Sequence, residues 1–119
     1  MRVNIKGLEW TYELLSAEEY VKAHGKGDLG LCIKDERKLV FILEEISYST
    51  IVHELTHAYM ASICIDSCSD IDSHDLEEIF CEINGNHIND IVGQGKEILK
   101  NLNKEAVKLN KKKKKKAKK

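Results

Sequence analysis

Ten residues at positions 51–60, IVHELTHAYM, constrain this chain more than any others: two histidines and a glutamate interrupt an apolar run of helical periodicity. Residues four apart share a helix face, so His53 and His57 project together with ring nitrogens able to meet at one point, and Glu54 stands on the same flank. Groups of this kind are costly to bury among Ile51, Val52, Leu55 and Ala58 unless something binds them. The spacing is HExxH, in which two neutral imidazoles hold Zn²⁺ and the glutamate takes a proton from an attacking water. The plainer alternative is a pair of core-edge histidines beside a surface acid. It does not explain why the pattern stands in register with a helix and follows an apolar strand.

Two histidines leave zinc short of the three protein ligands usual at a catalytic centre. A metzincin would place glycine and histidine at positions 60 and 63, where this chain has Met60 and Ile63. The remaining source is the acidic stretch DLEEIFCEI, residues 75–83. On a helix, Glu78 and Glu82 share a face with Cys81 and Gly85, whose small side chains would permit close approach to the HExxH helix. Leu76, Ile79, Phe80 and Ile83 form the opposite face. Glu78 can then be the third ligand, with Glu77 the main rival and His74 a more distant one, and Glu82 can accept the spare N–H of a ligand imidazole. The competing explanation is a solvated acidic first turn that complements the helix dipole, the role expected of Asp75 and Glu77.

TIVHELTHAYM followed by DLEEIFCEI resembles the small single-domain gluzincin metallopeptidases of phages and mobile elements, relatives of the ImmA/IrrE type. The resemblance covers roughly residues 38–92. It implies a minimal zincin-like fold, with His53, His57 and Glu78 as zinc ligands and Glu54 as general base in amide hydrolysis. The acid four residues after the ligand is often aspartate in such proteins; here it is Glu82. Also implied is a strand beside the site that pairs with an extended peptide or protein substrate, either the LVFIL segment or its hairpin partner. An oxyanion donor is not evident, and His74, Tyr48 and Tyr59 are the candidates. His87 falls on the apolar stripe and reads as a packed or interface histidine.

Elsewhere, GLEWTYELL has strand alternation with Leu8, Trp10, Tyr12 and Leu14 on one face, and Ser16 with Glu19 forms a capping-box pattern for a short helix stopped by Gly25. LGLCIKDERKLVFILEE reads as a hairpin turning at Lys34 to Arg37, whose second arm suits a strand buried on both faces or beside a helix. Ser49 or Thr50 can cap a helix reaching about Ile65, and further helices are expected from Ser73 to about Val92 and from about Lys96 onward, separated by GQG at 93–95. The fold class expected is α+β: a small antiparallel sheet of about three strands, with helices packed on one side.

The chain of 119 residues is sized for one domain, placed at 1–110, followed by a lysine tail at 111–119. That tail holds 8 of the 19 basic side chains, so the other 110 residues carry 11 basic against 20 acidic groups, a net of −9. A lysine run buries no apolar area and is expected to be disordered; its sharper use is weak non-specific attraction to nucleic acid or anionic lipid. No segment reads as membrane-inserting or as a secretory signal, which points to a cytoplasmic setting and reduced thiols at Cys32, Cys64, Cys68 and Cys81. The rival function is a non-catalytic binding protein with zinc as a staple between helices, the outcome favoured if Cys64 or Cys68 were a fourth ligand. Oligomeric state is left open, with the late helices available for dimerisation.

Overall fold

The computed structural model describes residues 1–63 and 73–117, and side chains for 1–62 and 77–115. Strand β1 (Arg2–Ile5) turns through Lys6 and Gly7, both at positive φ, into β2 (Leu8–Leu15), its antiparallel partner. Two successive positive φ values give the primed turn whose twist matches a hairpin, and the Asn4 side chain accepts the Gly7 N–H at 2.9 Å. β1 has four residues, of which only Ile5 is buried, so it carried little periodic signal. Trp10, Tyr12 and Leu14 are buried on one face of β2 as their alternation required, but Leu8 at the hairpin end is exposed.

Helix α1 (Ala17–His24) has the capping box: Ser16 Oγ accepts the Glu19 N–H and Glu19 Oε1 accepts the Ser16 N–H, each at 3.2 Å. Gly25 ends it at φ +89°, where a side chain would be strained. The chain returns as β3 (Gly30–Ile33), turns at Lys34–Arg37 and continues as β4 (Lys38–Ile42), antiparallel to β3. β4 also pairs with β2, in parallel. The sheet therefore has four strands in the order β1-β2-β4-β3 and is mixed, where three antiparallel strands were expected. The cause is α1: it lies in the crossover between β2 and the β3–β4 hairpin, the kind of connection that lets two strands run the same way.

β4 is buried on both faces. Leu39 and Phe41 join the main core with Trp10, Ile51, Leu55, Ile98 and Leu102, while Val40 and Ile42 pack with Tyr20 of α1. This two-sided burial is the reason for the unbroken run LVFI, and it places a helix on the second face of the sheet rather than leaving all helices on one side.

A 3₁₀ turn (Leu43–Glu45) leads to α2 (Tyr48–Ile63). Its cap is Ser47, ahead of both expected positions, Ser49 and Thr50: Ser47 Oγ accepts the Thr50 N–H at 3.1 Å. Next come α3 (Ser73–Glu82), a π-helical turn (Ile83–His87) and α4 (Ile88–Ala117). Gln94 and its flanking glycines do not divide α4. Ile91, Ile98 and Leu102 are buried on one side of it, and that packing holds the helix through its two weak residues. A β-carbon at Gly95 would meet Tyr48 Cε2 at 3.1 Å and Val52 Cγ2 at 3.3 Å, so this glycine lets α4 approach α2.

The lysine run also departs from expectation, because α4 continues through it to Ala117. Lysine has good helix propensity, elongation from a formed helix needs no new nucleus, and Lys113 Nζ reaches to 3.8 Å from Glu44 Oε1. No helix among the described residues is long and apolar enough to cross a membrane. The CxxxC of Cys64 and Cys68, the rest of residues 64–72 and the His74 side chain lie outside the described residues.

A β-carbon at Gly93 would meet nothing within 4 Å. Gly93→Ala is expected to stabilise the protein by about 0.5–1 kcal/mol, whereas Gly95→Leu should cost about 1–3 kcal/mol by wedging α4 from α2. Urea-unfolding midpoints of the two variants check the contrast.

Candidate metal centre

Helix α2 presses Ile51, Leu55, Ala58 and Tyr59 into the core, and this rotation leaves His53 and His57 on the exposed flank with Glu54 at the boundary, 5% exposed. The two imidazoles stand at 79° to each other with ring centroids 4.8 Å apart, and their Nε2 atoms are 3.2 Å apart. Two nitrogens bound to one tetrahedral zinc at about 2.05 Å each would be about 3.3 Å apart. The pair is therefore spaced for a shared cation. Desolvation, helped by the neighbouring His53 and Lys34, holds the His57 pKa below its usual value, which favours the neutral ring a metal requires.

Glu54 completes the group: one ligand atom from each of His53, Glu54 and His57 fits within 4.8 Å of the others. Its Oε1 lies 3.7 Å from His53 Nε2, and its Oε2 is buried with no hydrogen-bond partner among the described residues. Burial is the largest influence on this carboxyl and raises its pKa; Asp28 raises it further and His53 opposes. Buried carboxylate oxygens are normally satisfied, so an orphan beside two convergent imidazoles fits a cation and its water.

What buries Glu54 is the backbone of β3. A β-carbon at Gly30 would sit 3.2 Å from Glu54 Cγ and Thr50 Cγ2 and 3.3 Å from the Val40 carbonyl oxygen. Glycine is thus the residue that lets the strand close over the glutamate. An isolated glycine inside the strand pattern LGLCI was the available sequence signal for such an approach. Between β3 and α2 opens a cleft of about 530 Å³, with Asp28, Cys32 and Lys34 on the strand side and Thr50, His53, Glu54 and His57 on the helix side. Burial, reinforced by Glu54, pushes the Cys32 thiol up to about 11, and Cys32 lies outside the His53–Glu54–His57 group.

The acidic helix is placed differently from the triad. Glu77 and Glu78 are exposed on α3 and lie outside the His53–Glu54–His57 group. Ile83 is buried in the core and Ile79 packs against it, while a β-carbon at Gly85 would meet nothing within 4 Å. The segment therefore approaches the core on its isoleucine ridge, not on the Cys81–Gly85 face, because apolar burial outweighs the smaller side chains. Glu82 accepts from Asn86 Nδ2 at 2.8 Å and stands 3.6 Å from His87 Nε2, so its carboxylate serves the π-helical turn and not a ligand imidazole.

His87 is packed as expected, its ring 5.5 Å from that of Tyr59. Tyr59 is buried and donates to Gln94 Oε1 at 2.7 Å, and the Tyr48 ring lies along Gly95. Neither tyrosine lines the cleft. Searches of protein-family models, curated proteins and solved structures find no match to this chain.

A raised carboxyl pKa contributes stability that is present at low pH and lost as pH rises through the folded-state pKa. Metal-free Glu54→Gln is therefore expected to melt above the metal-free wild type at pH 8, by an amount on the order of 1 kcal/mol. The advantage should shrink as acidification protonates the wild-type carboxyl. Thermal unfolding in chelator across pH 4–8 (roughly the window in which a raised carboxyl titrates) is the measurement.

Proposed function

We propose that this chain is a zinc-dependent peptidase of gluzincin type, with a minimal zincin-like layout of edge strand, cleft and HExxH helix. The observation that carries the proposal is the buried Glu54, its Oε2 without a hydrogen-bond partner among the described residues, lining a cleft beside two Nε2 atoms 3.2 Å apart. His53 and His57 are the residues that would hold Zn²⁺. When bound, zinc lowers the pKa of a coordinated water to about 7 and polarises the scissile carbonyl.

The chain's own groups supply the rest. Glu54 takes the proton from the attacking water and passes it to the leaving amine, a shuttle suited to a carboxyl whose pKa burial has raised. Among the described residues β3 is at the edge of the sheet and pairs only with β4, so its second row of N–H and C=O groups can bind an extended peptide backbone along the cleft. Of the two strands first considered for this role, β4 is interior and unavailable.

Two imidazoles and a base leave the coordination incomplete, so Glu78, with Glu77 its rival, is the third ligand in this proposal, although both stand outside the triad in the structure. The rival function, a zinc-stapled binding protein, has no use for an orphaned carboxylate beside an open cleft.

His57→Ala is expected to lose stoichiometric zinc. Glu54→Gln should retain it while cleavage of an unstructured protein falls by about 10²–10⁴-fold. Glu78→Ala should weaken zinc at least about tenfold, and Glu77→Ala should not. Elemental analysis with a cleavage assay reads all three; wild-type protein that refuses added zinc, or a Glu54→Gln variant that cleaves as well as wild type, refutes the proposal.

A further inference from the structure

The cleft has charges of opposite sign at its two ends. Asp28 precedes β3 and Lys34 follows it, and both line the cleft. Lys34 is the one lysine or arginine among the lining residues, and neither it nor Asp28 is in an ion pair among the described residues. Both are exposed.

Their positions along α2 can be ordered. Gly30, two residues after Asp28, abuts Thr50 and Glu54. Asp28 therefore lies toward the first turns of α2, and Lys34 lines the cleft at the opposite end of the strand. An extended chain laid on the β3 edge must pass both charges.

Resting on the peptidase reading of this cleft, we infer that Asp28 and Lys34 determine specificity: the cleft takes an extended peptide antiparallel to β3, with an acidic residue toward its N-terminal end and a basic one toward its C-terminal end. Antiparallel pairing is the more stable register for an added strand, and it sets the peptide's N-terminal part beside Lys34 and its C-terminal part beside Asp28. Asp28 and Lys34 are six positions apart, so the matching charges on the peptide are also about six residues apart at the rise of an extended chain.

The test is binding, not turnover. Two fluorescein-labelled ten-residue peptides of identical composition, one with glutamate first and lysine about six residues later and one with the order reversed, are titrated at low salt. The protein is the full Glu54→Gln chain loaded with Zn²⁺, alone and combined with Asp28→Lys/Lys34→Asp; Lys34→Met serves as the milder variant. The acid-first peptide is expected to bind more tightly, each exposed charge pair contributing about two- to fivefold. The order of preference should invert in the double reversal and the contrast should narrow in Lys34→Met.

Equal affinities, no binding of either peptide, a base-first preference, or a contrast that survives the double reversal overturns the inference. Cleavage of the same peptides by wild type is scored separately. A binding contrast without cleavage overturns the peptidase reading and supports the charge assignment, whereas cleavage without a contrast does the reverse.

Discussion

The packing of α2 onto the sheet is the contact on which the rest of the site depends. Ile51, Leu55, Ala58 and Tyr59 form the buried stripe, and a helix turns about 100° per residue, so fixing that stripe fixes every other side chain on α2. Glu54, adjacent to Leu55, is carried to the edge of the core, and His53 and His57 to the flank that opens on the cleft. Were the stripe shifted by one position toward the N-terminus, both imidazoles would be buried, and shifted by one the other way, Glu54 would be an ordinary surface acid. The buried charge is therefore a consequence of apolar packing, which supplies the driving force that a lone carboxylate lacks.

Sheet order gives that helix its second wall. Because β4 is paired on both sides and buried on both faces, β3 is left as an edge strand with its backbone directed to the cleft. The same strand closes over Glu54 at Gly30, so one element both desolvates the base and offers an unpaired edge beside it. An exposed edge is usually a liability for aggregation; here it is four residues long and flanked by Asp28 and Lys34, two charges that blunt it.

On the far side, α4 acts as a brace. Tyr59 donates to Gln94, Gln94 donates to the Asn4 carbonyl at 2.6 Å, and Asn101 donates to the Tyr12 hydroxyl at 2.9 Å, joining α2, α4, β1 and β2 through polar contacts between residues up to 90 positions apart. Tyr59 is thereby committed to holding the fold, although its place on α2 had made it a candidate for the chemistry. The same helix carries lysines back toward acidic groups near α1, as Lys113 and Glu44 illustrate, which is how a segment of unpromising composition continues as helix.

What could be read from the amino-acid order is whatever is set within one segment. The HExxH spacing is such a feature, because the helical period alone brings positions 53 and 57 together, and so are the Ser16–Glu19 capping box, the β3–β4 hairpin and the two-sided burial of β4. Other features depend on segments far apart in the chain, and tertiary structure alone decided them. They include the parallel β2–β4 junction, the free edge of β3, the depth of Glu54 beneath Gly30, the commitment of Glu82 to Asn86 and His87, and the passage of α4 through two glycines and a lysine run. The physical reason is that periodicity is a local property of the backbone. Burial depth, strand order and the partner a side chain finds are settled by competition among contacts that the folded chain alone brings together.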